Sequence, residues 1–585
     1  MMKKLLTTIL LLGMMGAPLF SMTENETREW VLTLPSITTE NDAGVELRKL
    51  LRQAASTGSE RPVIIDIPRG VYHFYPETAP EQQIYISNHD QQPAHRIGIP
   101  LQGLKNTTLR GNGSTFIFHG RMLPFLLQYC SDITISDINI AVDSPLAGEG
   151  RIVEIAEDSV TLQFSPTPAW SVEDGKFCIS GRGWKLSPNH ALGFRPDGAM
   201  LAHGLWGDML WNFPAEQVGE NGVRFRTGEK GKQYKLAVGD TLVLRNAWRP
   251  HPGMLLYRAY NTTLNNVVFH DSLGMALIAQ RSKDIHINGG GCLRAPGRFH
   301  TTAADATHFS NCAGLILVEN ATYEGMMDDA INVHATCPAI TKVISPTCFI
   351  ARFMHGQAYG FEIALPGEKL QFIHGKTLEN TETTCEVEDV QIIDAKNLQI
   401  TLKTPLPEGI GVGDAVENAD WHPQVIFRNN TVRHNRARGA LFTTPRPVLV
   451  EGNHFDHSSG SAILLAGDAQ GWYESGRCLD VTIRNNTFEH NLTSLYQFTH
   501  AIISICPEVR MPDKQKTRYH NNVRIEGNTF ITHRVPLLYA ISASGVSFRD
   551  NHITYTDRYP AAKNTQSFIL HYCDDMKVDT PTEKP

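Results

Sequence analysis

Short runs of alternating apolar and polar residues punctuate this chain at a near-constant interval. Toward the C-terminus they share one grammar: an alternating stretch such as Val481-Thr482-Ile483, a turn with asparagine, then a second brief β-prone run. Each turn asparagine is followed by a small or polar residue and then an apolar one. The copies are Asn430-Thr431-Val432, Asn453-His454-Phe455, Asn486-Thr487-Phe488, Asn528-Thr529-Phe530 and Asn551-His552-Ile553. Successive asparagines lie 23, 33, 42 and 23 residues apart. A period of about 23 residues is one coil of a solenoid, and the longer steps read as a coil carrying an extra loop. Asparagine tolerates the left-handed backbone of tight turns, and stacked asparagines can hydrogen-bond up a ladder. The pattern predicts a right-handed parallel β-helix. Hairpin turns of an ordinary antiparallel sandwich would also use Asn-Asn and Gly-Asn pairs, but would not enforce the period.

Weaker copies run upstream, at 132–140 (DITISDINI), around Asn266, at 284–288 (DIHIN) and around Asn320. Before them, Val45, Leu47, Leu50 and Leu51 have helical spacing within 41–55, followed by the strand-like 63–74 with a turn at Pro68-Arg69-Gly70. Such a helix and strand suit a cap over the open end of the solenoid. The coil period lapses twice, at 143–251 and 336–423. There, alternating runs between Gly, Asp and Pro turns predict two inserted small antiparallel β-barrel or sandwich modules. The expected organisation is 1–21 signal peptide, 22–142 cap and first coils, 143–251 first module, 252–335 central coils, 336–423 second module, 424–560 C-terminal repeats and 561–585 tail. The modules flank the central coils and suit walls around a groove.

Composition narrows the class. The 585 residues are ample for a large core. Lys3 and Lys4 precede an apolar run from Leu5 to Phe20 that is broken by Gly13, Gly16 and Pro18, too short for a membrane span. It reads as an export signal, so a periplasmic or secreted protein is expected, with no membrane span once the signal is removed. Ten cysteines at irregular spacing, several in apolar runs (Cys292, Cys312, Cys506), suggest buried thiols rather than a disulfide framework. A net charge of −7 without a basic stripe argues against a nucleic-acid partner and suits a neutral ligand.

Candidate chemistry sits in the central coils. Asp305 precedes the pair Asp328-Asp329 by 23 residues, one period, so three carboxylates are expected on one wall. Glycoside hydrolysis needs one carboxylic acid to protonate the leaving oxygen and a second carboxylate to attack or to activate water. Coils are spaced about 4.8 Å apart, so carboxyls in register would approach to about 5 Å, and a two-residue stagger would give roughly 8 Å. The first favours retention and the second inversion, and spacing alone leaves both open. Asp328 and Asp329 would face opposite sides of a strand unless the chain bends, which Gly325 permits. Solvated surface aspartates or a calcium site are the plain alternatives. His308 and His334 are candidate substrate-binding residues, with a structural role in a turn as the alternative.

These residues resemble a known family. The export signal, the repeats, the two β modules, and DATHFSN (305–311) followed one coil later by GMMDDAINVH (325–334) resemble glycoside hydrolase family 110, the exo-acting α-1,3-galactosidases of bacteria. The resemblance covers nearly the whole mature chain, and DDAINVH is its most specific part. It implies release of terminal α-1,3-linked galactose, including that of the blood group B antigen, with inversion and without a metal or organic cofactor. The implied partner is an oligosaccharide or glycoconjugate with terminal galactose, branched or linear. The implied roles are Asp328 as general acid, and Asp305 and Asp329 as the general base acting on water, and inversion implies the staggered arrangement. Family 28 polygalacturonases also place one aspartate a coil before an Asp-Asp pair, but their later Gly-His-Gly and Arg-x-Lys segments are not found after Asp329. Trp184, Trp206, Trp211 and Trp248 could stack on a sugar, although core packing of the first module accounts better for most of them. A hydrolase or lyase on another polysaccharide and a non-catalytic glycan-binding solenoid are the competing readings.

Overall fold

The computed structural model describes residues 29–36, 41–56, 61–199, 208–494, 499–580 and 582–583. The expected signal segment lies outside them. Among the described residues no helix is long and apolar enough to cross a membrane.

The chain is a parallel β-helix with two antiparallel insertions. Two long sheets, one of 22 strands and one of 13, wind around a single continuous core. The asparagine grammar explains its own geometry. Asn430, Asn453, Asn486, Asn528 and Asn551 form a buried ladder, each Nδ2 donating to the next Oδ1 at 3.1, 2.9, 3.0 and 3.0 Å. Each lower Oδ1 also accepts from the backbone N–H of the asparagine above, at 2.9 Å throughout. The apolar residue two positions on turns inward: Phe455, Phe488 and Phe530 stack at 5.4 and 4.9 Å and are fully buried.

The left-handed residue is not the ladder asparagine but the one before it: Asn429, Gly452, Asn485, Gly527 and Asp550 all have φ between 54° and 66°. That preceding position turns the corner, which frees the ladder asparagine to spend its amide on its neighbours.

The longer steps are loops that leave the coil without breaking the ladder. In the 33-residue step, Glu474–Ser475 folds back to pair antiparallel with Ala335 and Thr336. The tail expected at 561–585 is instead a further rung. Phe568–His571, Asp574–Val578 and Thr582–Glu583 pair in parallel with the rung below, because their alternating residues can still cover the last core layer.

At the other end the helix Ala43–Ser56 buries Leu47, Leu51 and Ala54 over the first coils, and Arg48 reaches back to the Gly98 carbonyl. The first insertion holds a seven-stranded and a three-stranded antiparallel sheet, and the second is a closed six-stranded barrel from Ala339–Ser345 to Ala415–Asn418. Each has its own apolar core. Trp184 and Trp211 belong to the first of these, Trp248 packs on its edge under Arg121, and Trp206 lies outside the described residues. All ten cysteines are free thiols, seven of them buried.

Candidate active site

The 13-stranded sheet carries Leu277–Gln280, Thr307–Ser310, Ile331–Thr336 and Ala440–Phe442 as successive strands, with 277 level with 307, 331 and 440. The residue two places before each strand therefore occupies one position on four consecutive coils. Those residues are Met275, Asp305, Asp329 and Arg438. All four sit in turns rather than strands, so the two-sided alternation of a strand does not apply. The turn at Gly325, with φ 68°, starts the bend that lets Asp328 and Asp329 serve one site.

Asp305 is level with Asp329, 24 residues on, and not with Asp328; the Ala306 N–H donates to the Asp329 carbonyl at 2.8 Å. One carboxylate oxygen from each of Asp305, Asp328 and Asp329 lies within 4.8 Å of the others. The staggered arrangement implied by inversion is thus replaced by a close one. The register of the flanking strands, with 307 level with 331, fixes this step.

Asp305 and Asp328 line a pocket of about 240 Å³, with His308, Arg249, Trp472 and Glu474 among its other walls. Asp329 lies behind them, fully buried, accepting from Arg438 Nη2 at 2.8 Å and from the Arg438 backbone N–H at 3.2 Å. Asp328 Oδ2 accepts from Arg249 Nη2 at 3.1 Å, while Oδ1 has Arg436 at 3.6 Å and no hydrogen-bond partner. The first insertion clamps Arg436 through Asp208, with two bonds of 2.7 Å. His355 of the second stacks on Trp472 at 3.9 Å between ring centroids. Glu474 accepts from Asn88 at 2.8 Å.

His308 and His334 come together, but not as two neighbours side by side in the pocket wall. His308 Nδ1 is 2.7 Å from Asp305 Oδ2 and its Nε2 is 2.7 Å from His334 Nε2. His334 lies behind His308, with Glu474 Oε1 3.4 Å from its Nε2. The carboxylate trio, and His308 with His334 and Glu474, are each close enough to hold a cation; guanidinium groups partner Asp328 and Asp329, and the two imidazoles face each other.

The electrostatics split the trio. Burial, then the charge of Asp328, pushes the Asp305 carboxyl up to about 8. Burial lifts Asp329 well above the ordinary range against the pull of Arg438. Burial would raise Asp328 too, but Arg438, Arg436, Arg249 and Arg245 together hold it below the ordinary value. In this arrangement Asp328 is the charged member and its neighbours keep protons.

Arg249, Arg436, Arg438, Trp472 and Glu474 were missed in the sequence. The pair Arg436-x-Arg438 is one coil after Asp328-Asp329, but the inserted barrel stretches that step to 109 residues. The one signal available was Asn430-Thr431-Val432 shortly before it, a rung marker with the arginines at the position of the aspartates.

A parallel β-helix with a carboxylate trio and arginines in a small walled pocket has the groups that acid–base cleavage of a glycosidic bond needs. The chain matches the families GLAA-B beta-barrel domain I over residues 148–242 and GLAA-B beta-barrel domain II over 349–416. It is 39% identical to an alpha-1,3-galactosidase B of Parabacteroides distasonis over 85% of this chain and 83% of that one. For a namesake of Phocaeicola vulgatus the values are 38%, 93% and 95%, and for one of Akkermansia muciniphila 48%, 85% and 62%. The chain thus spans under two thirds of the Akkermansia relative. Among solved structures, a family 28 exopolygalacturonase of Yersinia enterocolitica is similar at TM-score 0.40 and 11% identity, over 95% of this chain and 79% of that one. The chain belongs to the α-1,3-galactosidase family of glycoside hydrolases.

Proposed function

We propose that this chain removes terminal α-1,3-linked galactose from an oligosaccharide or glycoconjugate, by single displacement with inversion, after export to the periplasm or beyond. The observation that carries the reading is the pair of pocket-lining carboxyls on Asp328 and Asp305, with one oxygen of each within 4.8 Å of the other. The names of the relatives support the substrate, and the Lys3-Lys4 start with its apolar run supports export. A pocket of about 240 Å³ is below the roughly 300–1,000 Å³ of sites for larger ligands and suits one sugar ring, hence exo action.

Asp328 takes the role of acid toward the glycosidic oxygen, and Asp305 with Asp329 the role of base toward water. Asp328 must hold a proton when the leaving oxygen arrives. Its neighbours hold protons tightly within 4.8 Å, a gap that one bridging hydroxyl spans, so the proton can be supplied inside the trio. The close spacing favours a second reading, retention through a covalent intermediate, because retaining pairs stand about 5–5.5 Å apart. NMR of the first sugar released from an α-1,3-galactosyl trisaccharide separates them: β-galactose supports inversion, α-galactose retention, and intact trisaccharide overturns the whole reading.

A further inference from the structure

The two histidines behind Asp305 have a hydrogen-bond order that can be deduced atom by atom. His334 Nδ1 is 3.0 Å from the Ala335 carbonyl, which only accepts, so Nδ1 carries the hydrogen. In a neutral His334, Nε2 is then an acceptor. Its partner at 2.7 Å is His308 Nε2, which must donate. Neutral His308 then has a bare Nδ1, and Asp305 Oδ2 at 2.7 Å must donate to it. With both imidazoles neutral, the geometry makes Asp305 a carboxylic acid, in agreement with the effect of its burial. All three side chains are at least 95% buried, so a chain of neutral groups is the arrangement that avoids an unpaired charge.

We propose that His308 and His334 are positioning residues that store the Asp305 proton, turning Asp305 into a carboxylate when it acts on water. The inference rests on the proposed role of Asp305 as base. In the shift, the Asp305 Oδ2–H bond breaks and a His308 Nδ1–H bond forms, while the His308 Nε2–H bond breaks and a His334 Nε2–H bond forms. The products are an Asp305 carboxylate and a His334 imidazolium. No proton enters or leaves the chain. Asp305 then accepts, on its other oxygen, the proton that water loses as its oxygen bonds to the sugar; after product departs the surplus proton of His334 passes back through His308 to Asp305 Oδ2, and the proton taken from water moves on to replace the one Asp328 gave to the leaving oxygen.

The surroundings fit a cation at His334 rather than at His308. Glu474, which accepts from Asn88 at 2.8 Å, has its Oε1 3.4 Å from His334 Nε2. Arg249, His334 and burial all oppose a charge on His308, with Asp328 and Glu474 favouring it, and His89 stands near as a further neighbour. Glu474 reaches this position because the extra loop of its coil pairs back onto Ala335 and Thr336.

The test uses the full chain with ¹⁵N-labelled histidine. At neutral pH the expected tautomers are Nε2–H for His308 and Nδ1–H for His334, read with no substrate present; Nδ1–H on His308 overturns the proposal. His334→Gln keeps an acceptor for His308 Nε2–H but cannot take up its proton. Its kcat is expected to fall at least tenfold with KM within twofold, and the acidic limb of its kcat profile to move up by about one pH unit. Wild-type kcat and pH profile in His334→Gln overturn the proposal, because a purely structural role is rescued by glutamine. If the wild type fails to cleave α-1,3-galactose, the functional reading falls while the tautomers still decide this one.

Discussion

Asp329 and Arg438 stand at the same position on neighbouring coils, joined by a 2.8 Å ion pair, although 109 residues separate them in the chain. An entire barrel fits between the two without disturbing the register of their strands. The pair is buried, and Arg438 also faces the charged Asp328 at 4.0 Å. Replacing Arg438 by methionine removes the hydrogen-bond partner of a buried Asp329 carboxyl and one of the cations around Asp328, a loss of about 1–3 kcal/mol in chemical denaturation. An Arg438→Met chain as stable as the wild type would show that the pair contributes nothing to the fold.

Asp328→Asn removes the charge that balances Arg249, Arg436 and Arg438. Turnover of an α-1,3-galactosyl trisaccharide is expected to drop by about 10²–10⁴-fold, since an amide cannot donate the proton. Binding of the trisaccharide by calorimetry should survive. A glycan-binding solenoid without catalysis would show no difference.

Asp305→Asn should lose activity and gain stability. The folded carboxyl titrates at about 8 against an ordinary 3.8, so below pH 3.8 it is protonated in both states and costs nothing. As pH climbs from 3.8 to about 8 the unfolded state releases a proton that the folded state keeps, and stability falls throughout that window. Asparagine removes the loss. At pH 8.5 the variant is expected to be more stable by on the order of a few kcal/mol, and at pH 4 nearly equal to wild type. Equal pH slopes in urea titrations of the two chains would refute the elevated Asp305.

Asp208 reaches Arg436 from the first insertion and touches no other part of the site among its hydrogen bonds. Asp208→Ala should leave the pocket arginine free to move, raising KM several-fold with a smaller effect on kcat. Steady-state kinetics on the trisaccharide check the split.

The ladder makes a prediction about stability alone. Asn486 bonds to Asn453 above, Asn528 below and the Val450 carbonyl, all buried. Asn486→Ala strands several of these groups, each worth about 1–3 kcal/mol, and should lower the melting temperature without changing KM. The same change at Asn551, whose amide meets only the Ile525 carbonyl below its Oδ1 contacts, should cost less.

By itself the sequence determined the solenoid, because each coil repeats one local rule: a corner residue, a ladder asparagine, an outward residue, an inward apolar one. It determined the three aspartates for the same reason, since one period is a local distance. Only the tertiary structure decided which of them are level, because the pairing of 307 with 331 makes the step there 24 rather than 23. It alone supplied Arg438, Arg249 and Glu474, which reach the pocket from beyond a barrel, from the edge of an insertion and from a loop folded back by two backbone pairs. Proton affinities belong to that second set as well. They follow from burial and from the fields of neighbours distant in the chain, quantities that no local spacing encodes.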